Sequence, residues 1–327
     1  MKVCIYGAGA IGGHIAGHLA RGGADVSVVA RGPQLEALRR NGVTVVTPKE
    51  TFTAQVKATD DARDLGVQDY VFLTLKSHQV DGALPALRPL LGPETAVVPP
   101  TTGIPWWYFH GLDGPHRDRA LPALDAGGRQ RATIGPERVI GCAFWTAAEV
   151  TAPGVIHQDG ARAAYPIGEP DGSSSPRLIR LAEAMTAGGL SAPVQRDIRG
   201  QIWIKMINSL CWNQAAFLTE APNSAFQNAP NAVDVIRAMM TEMEAVATAL
   251  GATIPAPMER RIDLTIQATG HTMSMLQDLQ RNRPIEIDVL ADSVAVMSEI
   301  SGVPTPTVDA LLALTKLKGR IRGLYPG

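Results

Sequence analysis

The six residues Gly7-Ala8-Gly9-Ala10-Ile11-Gly12 place glycine at the spacing that binds the pyrophosphate of a dinucleotide. In such a loop the first glycine makes a tight turn, the second lets the backbone approach the phosphates, and the third lets helix and strand pack closely. The flanks fit: KVCIY reads as a strand and IGGHIAGHLARGG as a helix whose N-terminus would face the phosphates. After the second strand, DVSVVA, an acidic residue would bond the ribose 2′-hydroxyl of NAD; Arg31 stands there instead. A guanidinium can hold a 2′-phosphate through two bonds, which points to NADP, although an arginine there also suits an ordinary exposed loop. Lys76 directly follows the apolar strand in VFLTLKSHQV. Ligands of open α/β sheets bind beyond the carboxyl ends of the strands, so Lys76 reads either as a cofactor or substrate contact or as a surface residue.

A second constellation lies in IKMINSLCWN, residues 204–213. At roughly 100° per residue, Lys205, Asn208, Ser209 and Asn213 share one side of a helix. They form either its wet face or the polar lining of a cleft. The crowd of Trp203, Met206, Leu210 and Trp212 around them argues for the cleft. A lysine held there can protonate a carbonyl oxygen as hydride reaches the carbon. His14 and His18, four apart with no third ligand in view, read as a solvated helix face, and no metal site is expected.

The elements that must position these groups change character near residue 196. Before it, β-branched runs alternate with helical patterns: KVCIY, DVSVVA, VTVVT, DYVFLTLK, TAVVPP and RVIGCAFWTA against PQLEALRRNG and LPALRPLLG. That alternation argues a parallel sheet covered on both faces. Beyond it, helical periodicity runs through 195–220, 231–250, 256–280, 284–301 and 306–322. The fold class expected is therefore α/β: an N-terminal Rossmann-type dinucleotide-binding domain over 1–196, then an all-helical domain over 197–327. The 327 residues, 45% apolar, suffice for two cores. A formal charge of −1 with mixed signs offers no basic stripe, which excludes nucleic acid and anionic membrane as partners. The start of the chain lacks the long apolar core of a signal peptide, and no apolar run reaches the roughly 18 residues that span a bilayer. Cys4, Cys142 and Cys211 read as reduced, buried residues of a soluble cytoplasmic protein.

Taken together, GAGAIGG with Arg31, TLKSHQ around Lys76, Lys205 with Asn213 eight residues later, and SMLQD at 274–278 followed by Glu286 in PIEID resemble the ketopantoate reductase (2-dehydropantoate 2-reductase) family over almost the whole chain. The resemblance implies NADPH-dependent reduction of a small 2-oxo acid. It makes Lys205 the general acid and Glu286 the holder of the substrate hydroxyl. Asn213 and Ser274 match substrate-binding positions, and Lys76 one near cofactor and substrate carboxylate. The family fold, a Rossmann domain plus a helical domain with the site between them, agrees with the composition break, and the helical part is expected to carry substrate contacts and dimerisation. Two departures fall in the implied pocket: Thr102 replaces an asparagine ahead of Gly103, and Ser209 replaces one four residues after the lysine, with Asn208 one position early. Thr102, Asn208 and Ser209 therefore join the substrate candidates. Trp106, Trp107 and the segment 108–137 either reshape the pocket or are, respectively, core residues and a surface insertion. Beside ketopantoate reduction stand a family member with a bulkier ketone or imine substrate, and a non-enzymatic NADP-binding regulator.

Overall fold

The computed structural model describes residues 1–268 and 272–325, without the side chains of 161 and 162. They divide into two compact units, one of Met1–Thr101 with Pro105–Ile198 and one of Thr102–Ile104 with the described residues from Arg199 onward.

The first unit opens with β1 (Lys2–Tyr6), α1 (Ala10–Arg21), β2 (Asp25–Val29), α2 (Gly32–Asn41), β3 (Val43–Val46), β4 (Thr51–Ala54), β5 (Lys57–Thr59), β6 (Tyr70–Leu73), α3 (Ser77–Leu87) and β7 (Ala96–Val98). Five strands form a parallel sheet in the order β5-β2-β1-β6-β7. Strands β1 and β6 are buried along nearly their whole length, as a sheet covered on both faces requires. The order reverses direction beside β1, and there the ends of β2, β1 and β6 lie next to one another.

The unit continues through α4 (Arg129–Ile134), β8 (Gly141–Cys142), β9 (Trp145–Ala152), β10 (Val155–Ala164), β11 (Ile167–Gly168) and α5 (Pro176–Ala187). VTVVT, read as part of the parallel sheet, belongs instead to a separate mixed sheet in the order β4-β3-β10-β9. Local alternation identifies a strand but carries no information about which sheet accepts it. RVIGCAFWTA is not one strand but β8 and the start of β9.

The expected solvated face of α1 is a correction. His14 is fully buried and His18 is 6% exposed. Gly13 and Gly17 let α1 come close to β10 and β3: a Cβ on Gly13 would lie 2.6 Å from Ile156, and one on Gly17 2.6 Å from Val45. Gln158 donates through Nε2 to the Gly160 carbonyl at 2.9 Å, so its Oε1, 2.9 Å from His14 Nε2, accepts a proton from that ring. Nδ1 of His14 then accepts from the Tyr165 hydroxyl at 2.7 Å, and His18 Nδ1 donates to the Gly188 carbonyl at 2.8 Å. Burial, with the neighbouring His18 adding to it, lowers the His14 pKa to about 4. The unfolded chain therefore binds more protons than the folded one between about pH 6.5 and about 4, and stability falls as pH drops through that window. Roughly 2 kcal/mol should be lost by about pH 5, read as a fall in urea midpoint, and His14→Gln should flatten the slope.

The second unit contains α6 (Ile198–Thr219) from Arg199 onward, α7 (Pro230–Ala249), α8 (Met258–Ile266), α9 (Ser274–Gln280), α10 (Asp288–Ser301) and α11 (Pro306–Ile321), with no strand among its described residues. The helix expected over 256–280 is α8 and α9, and residues 269–271 within it lie outside the described residues. Its core is drawn from Trp203, Trp212, Phe217, Met240, Met243 and Met297, all fully buried.

Candidate functional site

A cleft of ≈ 640 Å³ opens at the carboxyl ends of β1, β2 and β6. Tyr6, Gly7, Ala8 and Gly9 line it after β1, Val29, Ala30 and Arg31 after β2, and Thr74, Leu75 and Lys76 after β6. The three motif glycines have separate physical roles. Gly7 sits at φ +114°, where an L side chain is strained. Gly9 has open space where a Cβ would stand, room for a ligand against the backbone. A Cβ on Gly12 would lie 2.0 Å from the Gly7 carbonyl oxygen and 2.4 Å from Thr74 Oγ1, so only glycine lets α1 meet the turn. Gly9 is the N-cap of α1 and supplies no side-chain cap. First-turn N–H groups lack intrahelical acceptors, so the end of α1 is suited to a pyrophosphate. Ala10 and Ile11, partly exposed, form that first turn.

Side chains absent from the motif hold the loop. Thr74 Oγ1 donates to the Gly7 carbonyl at 2.7 Å, and Gln34 Nε2 donates to the Ala8 carbonyl at 2.9 Å while its Oε1 accepts from the Gly154 N–H. Gln34 could have been singled out only by its place in the first turn of α2, three residues after Arg31. Arg31 is exposed at the N-cap of α2, on the cleft. Burial pushes the Tyr6 hydroxyl above its ordinary pKa, and the charge of Arg31 opposes that shift. Lys76 is the exposed N-cap of α3, its backbone N–H donating to Gln79 Oε1 at 3.2 Å.

The cofactor candidates thus collect in the first unit, and the substrate candidates in the second. Between Ile202 and Gln214 of α6, only Lys205, Asn208 and Ser209 keep partial exposure. Asn213 is 5% exposed, and its amide ties two helices. Its Oδ1 accepts from Ser274 Oγ at 3.1 Å and the Met275 N–H at 3.0 Å, and its Nδ2 donates to the Ser209 carbonyl at 2.8 Å. Ser274 is exposed at the start of α9.

Glu286 is partly exposed between buried Ile285 and Ile287, just ahead of α10. Its segment is clamped on both sides: the Ile285 N–H donates to the Leu324 carbonyl at 2.9 Å, and the Tyr325 hydroxyl donates to Asp288 Oδ1 at 2.6 Å. Thr102 is exposed in the segment that belongs to the helical unit, where the Ile104 N–H donates to Ser293 Oγ of α10 at 2.9 Å. Trp106 and Trp107 are 4% and 0% exposed, which makes them core residues. The segment 108–137 packs into the first unit through buried Tyr108, Phe109, Leu121 and Ile134. Within it, Asp125 caps α4 by accepting from the Gln130 and Arg131 N–H groups at 2.8 and 3.0 Å.

Two polar residues of the helical unit carried no sequence signal. Asn223 is 1% exposed, its Nδ2 lies 3.7 Å from Met273 Sδ, and its buried Oδ1 has no partner. Arg261 of α8 is 4% exposed and contacts Glu244 and Asn208. Among the described residues no group of three or more His, Cys, Asp or Glu could hold a metal, and no helix is long and apolar enough to cross a membrane.

Family profiles match the chain in two blocks, one described as "Ketopantoate reductase PanE/ApbA" over residues 3–104 and one as "Ketopantoate reductase PanE/ApbA C terminal" over 197–319. The 2-dehydropantoate 2-reductase of Mesorhizobium japonicum is 44% identical over 327 residues, covering 99% of this chain and 100% of the relative. A crystal structure from Ralstonia solanacearum MolK2, assigned as a ketopantoate reductase, superimposes with a TM-score of 0.90 at 36% identity over 99% of both chains. A D-mandelate dehydrogenase solved with NADH and anilino(oxo)acetate has a TM-score of 0.79 over 99% of this chain and 100% of its own, and at 19% identity shares the fold.

Proposed function

The chain belongs to the ketopantoate reductase family, oxidoreductases that use a nicotinamide dinucleotide, and from that premise we propose that it reduces the ketone of a 2-oxo acid, ketopantoate or a relative of it, with NADPH. The observation that carries this reading is the stripe on α6: along thirteen consecutive residues from Ile202 to Gln214, exposure is kept at Lys205, Asn208 and Ser209 alone. A lysine kept partly exposed on an otherwise buried stretch, with Asn208 and Ser209 on the same face, is placed for use.

The glycine loop fits the cofactor, because Gly9 leaves space where any side chain would intrude and Gly7, Ala8, Gly9, Ala10, Ile11 and Gly12 would hold the pyrophosphate. Arg31 would hold the 2′-phosphate, and Lys76 would reach the cofactor from the end of β6. Bound NADPH supplies the hydride that reaches the carbonyl carbon. Lys205 donates the proton to the carbonyl oxygen, so the alkoxide never forms unneutralised. Glu286 accepts the hydrogen bond of a substrate hydroxyl, and Asn208, Ser209, Asn213, Ser274 and Thr102 orient the acid. Domain 1–196 is then the cofactor part, and 197–327 the substrate part. The buried thiols of Cys4, Cys142 and Cys211 support a cytoplasmic enzyme. Exposed Leu314, Leu317 and Ile321 on one face of α11 support a homodimer.

Thr102 and Ser209 favour a second substrate reading, a bulkier 2-oxo compound. Each hydroxyl is shorter than an asparagine amide and offers one donor where the amide offers two. The two are separated by comparing a size series of 2-oxo acids. Thr102→Asn should raise kcat/KM on ketopantoate up to about tenfold, since each regained bond is worth about 0.5–1.5 kcal/mol. If ketopantoate is already the best substrate and the asparagine changes nothing, the bulkier reading is wrong. In the same assay Glu286→Ala should raise KM roughly tenfold for acids that carry the hydroxyl and leave those without it unchanged.

A further inference from the structure

Arg261 carries a charge into the interior of the helical unit, and its contacts with Glu244 and Asn208 have so far been given no role. Its residue is 4% exposed, yet nothing in the sequence of α8, MERRIDLTI, distinguishes it from the exposed Arg260 beside it. Nη2 is paired with Glu244 of α7, and Nη1 donates to Asn208 Oδ1 at 3.2 Å. Burying a guanidinium is costly unless its donors are taken, and here Nε is left buried with no partner. A placement that leaves a buried donor unsatisfied implies a gain elsewhere, and the group that Arg261 grips is a member of the α6 stripe.

The grip fixes which way the Asn208 amide points. A guanidinium has donors only, so the oxygen of Asn208 must face Arg261 and its NH₂ group is the end left for another partner. Without that anchor the amide could turn its oxygen outward as readily as its nitrogen. Asn208 lies three residues after Lys205, on the adjoining turn of the same face.

We infer that Arg261, braced by Glu244, is a positioning residue that locks Asn208 as an N–H donor beside Lys205, selecting substrates with an acceptor oxygen next to the reacting carbonyl, the carboxylate of a 2-oxo acid. The inference rests on the α6 stripe being the substrate-binding face, as proposed above. It also gives the early asparagine a purpose: where Ser209 offers one short hydroxyl, Asn208 supplies donors from the neighbouring position.

A double-mutant cycle tests this. Arg261→Met and Asn208→Ala should each raise KM for the best 2-oxo acid roughly tenfold with kcat within about twofold, as expected for a lost hydrogen bond to a charged group. The double variant should be no worse than either single, because Arg261 acts only through Asn208. Arg261→Lys, which keeps the charge, should recover part of the loss. Arg261→Met/Glu244→Gln removes the carboxylate that the single variant leaves unpaired, and should fold with the same raised KM. Losses that multiply in the cycle, or a loss confined to thermal stability with KM unchanged, overturn the inference. If the parent turns over no 2-oxo acid, the reductase reading itself fails. The inference is then decided by calorimetric titration of the parent, both single variants and the double with oxamate, at saturating NADP⁺: equal affinities in all four refute it, and equal, non-additive losses in the three variants uphold it.

Discussion

Lys205→Met should lower kcat by roughly 10²–10⁴ while leaving folding and NADPH affinity close to the parent's. Methionine keeps the length and apolar stem of lysine but has no proton to give. The substitution falls on one of three partly exposed positions in an otherwise buried run of α6, so little packing is lost. The residues that line the cofactor cleft belong to the first unit, and Lys205 is not among them. KM should change little, because a proton donated as the bond to carbon forms is felt in the transition state rather than in the ground state. Single-turnover measurement separates the chemical step from product release. A Lys205→Met enzyme with normal turnover would reduce the lysine to a solvated helix residue.

Arg31→Ala should weaken NADPH binding by tenfold to more than a hundredfold and leave NADH nearly unchanged. Each charge-assisted bond to the 2′-phosphate is worth on the order of 1.5–3 kcal/mol, and about 1.4 kcal/mol is a factor of ten in affinity. Arg31 is exposed, so the variant should fold normally. Gly12→Ala is the control with the opposite signature. Its Cβ would stand 2.0 Å from the Gly7 carbonyl oxygen, disturbing the pyrophosphate turn that both cofactors need, and NADPH and NADH should suffer alike. Fluorescence titration of both cofactors against parent and variants distinguishes the two. Equal losses for NADPH and NADH in Arg31→Ala would remove the basis for assigning NADP.

The parts of the site that were legible in the sequence are those whose chemistry is local. Glycine spacing reports a backbone path, and Gly7, Gly9 and Gly12 each meet the constraint that the motif implies. The stripe of Lys205, Asn208 and Ser209 was legible because helical period alone puts those residues on one face. What failed depended on partners distant in the chain. His14 and His18 have the spacing of a wet face, but His14 is satisfied by Gln158 and Tyr165, 144 and 151 residues away, which no local pattern reveals. Arg261 carries no local signal for the same reason, since its meaning comes from Asn208 and Glu244 on other helices. VTVVT has the pattern of a strand, but the sheet it joins is decided by β4 and β10 rather than by its own residues. Asn213 was legible as a polar residue of the stripe, but its bonds to Ser274 and Met275 make it a tie between α6 and α9 as well.

The most direct measurement is the rate at which the purified protein oxidises NADPH, and separately NADH, when offered ketopantoate and a series of branched and bulkier 2-oxo acids, with Lys205→Met run beside it. The expected result is steady turnover of at least one 2-oxo acid, a clear preference for NADPH, and collapse of the rate in Lys205→Met. Tight NADPH binding with no turnover of any 2-oxo acid, or equal rates for parent and Lys205→Met, would contradict the assignment of Lys205 as the acid of a 2-oxo acid reductase.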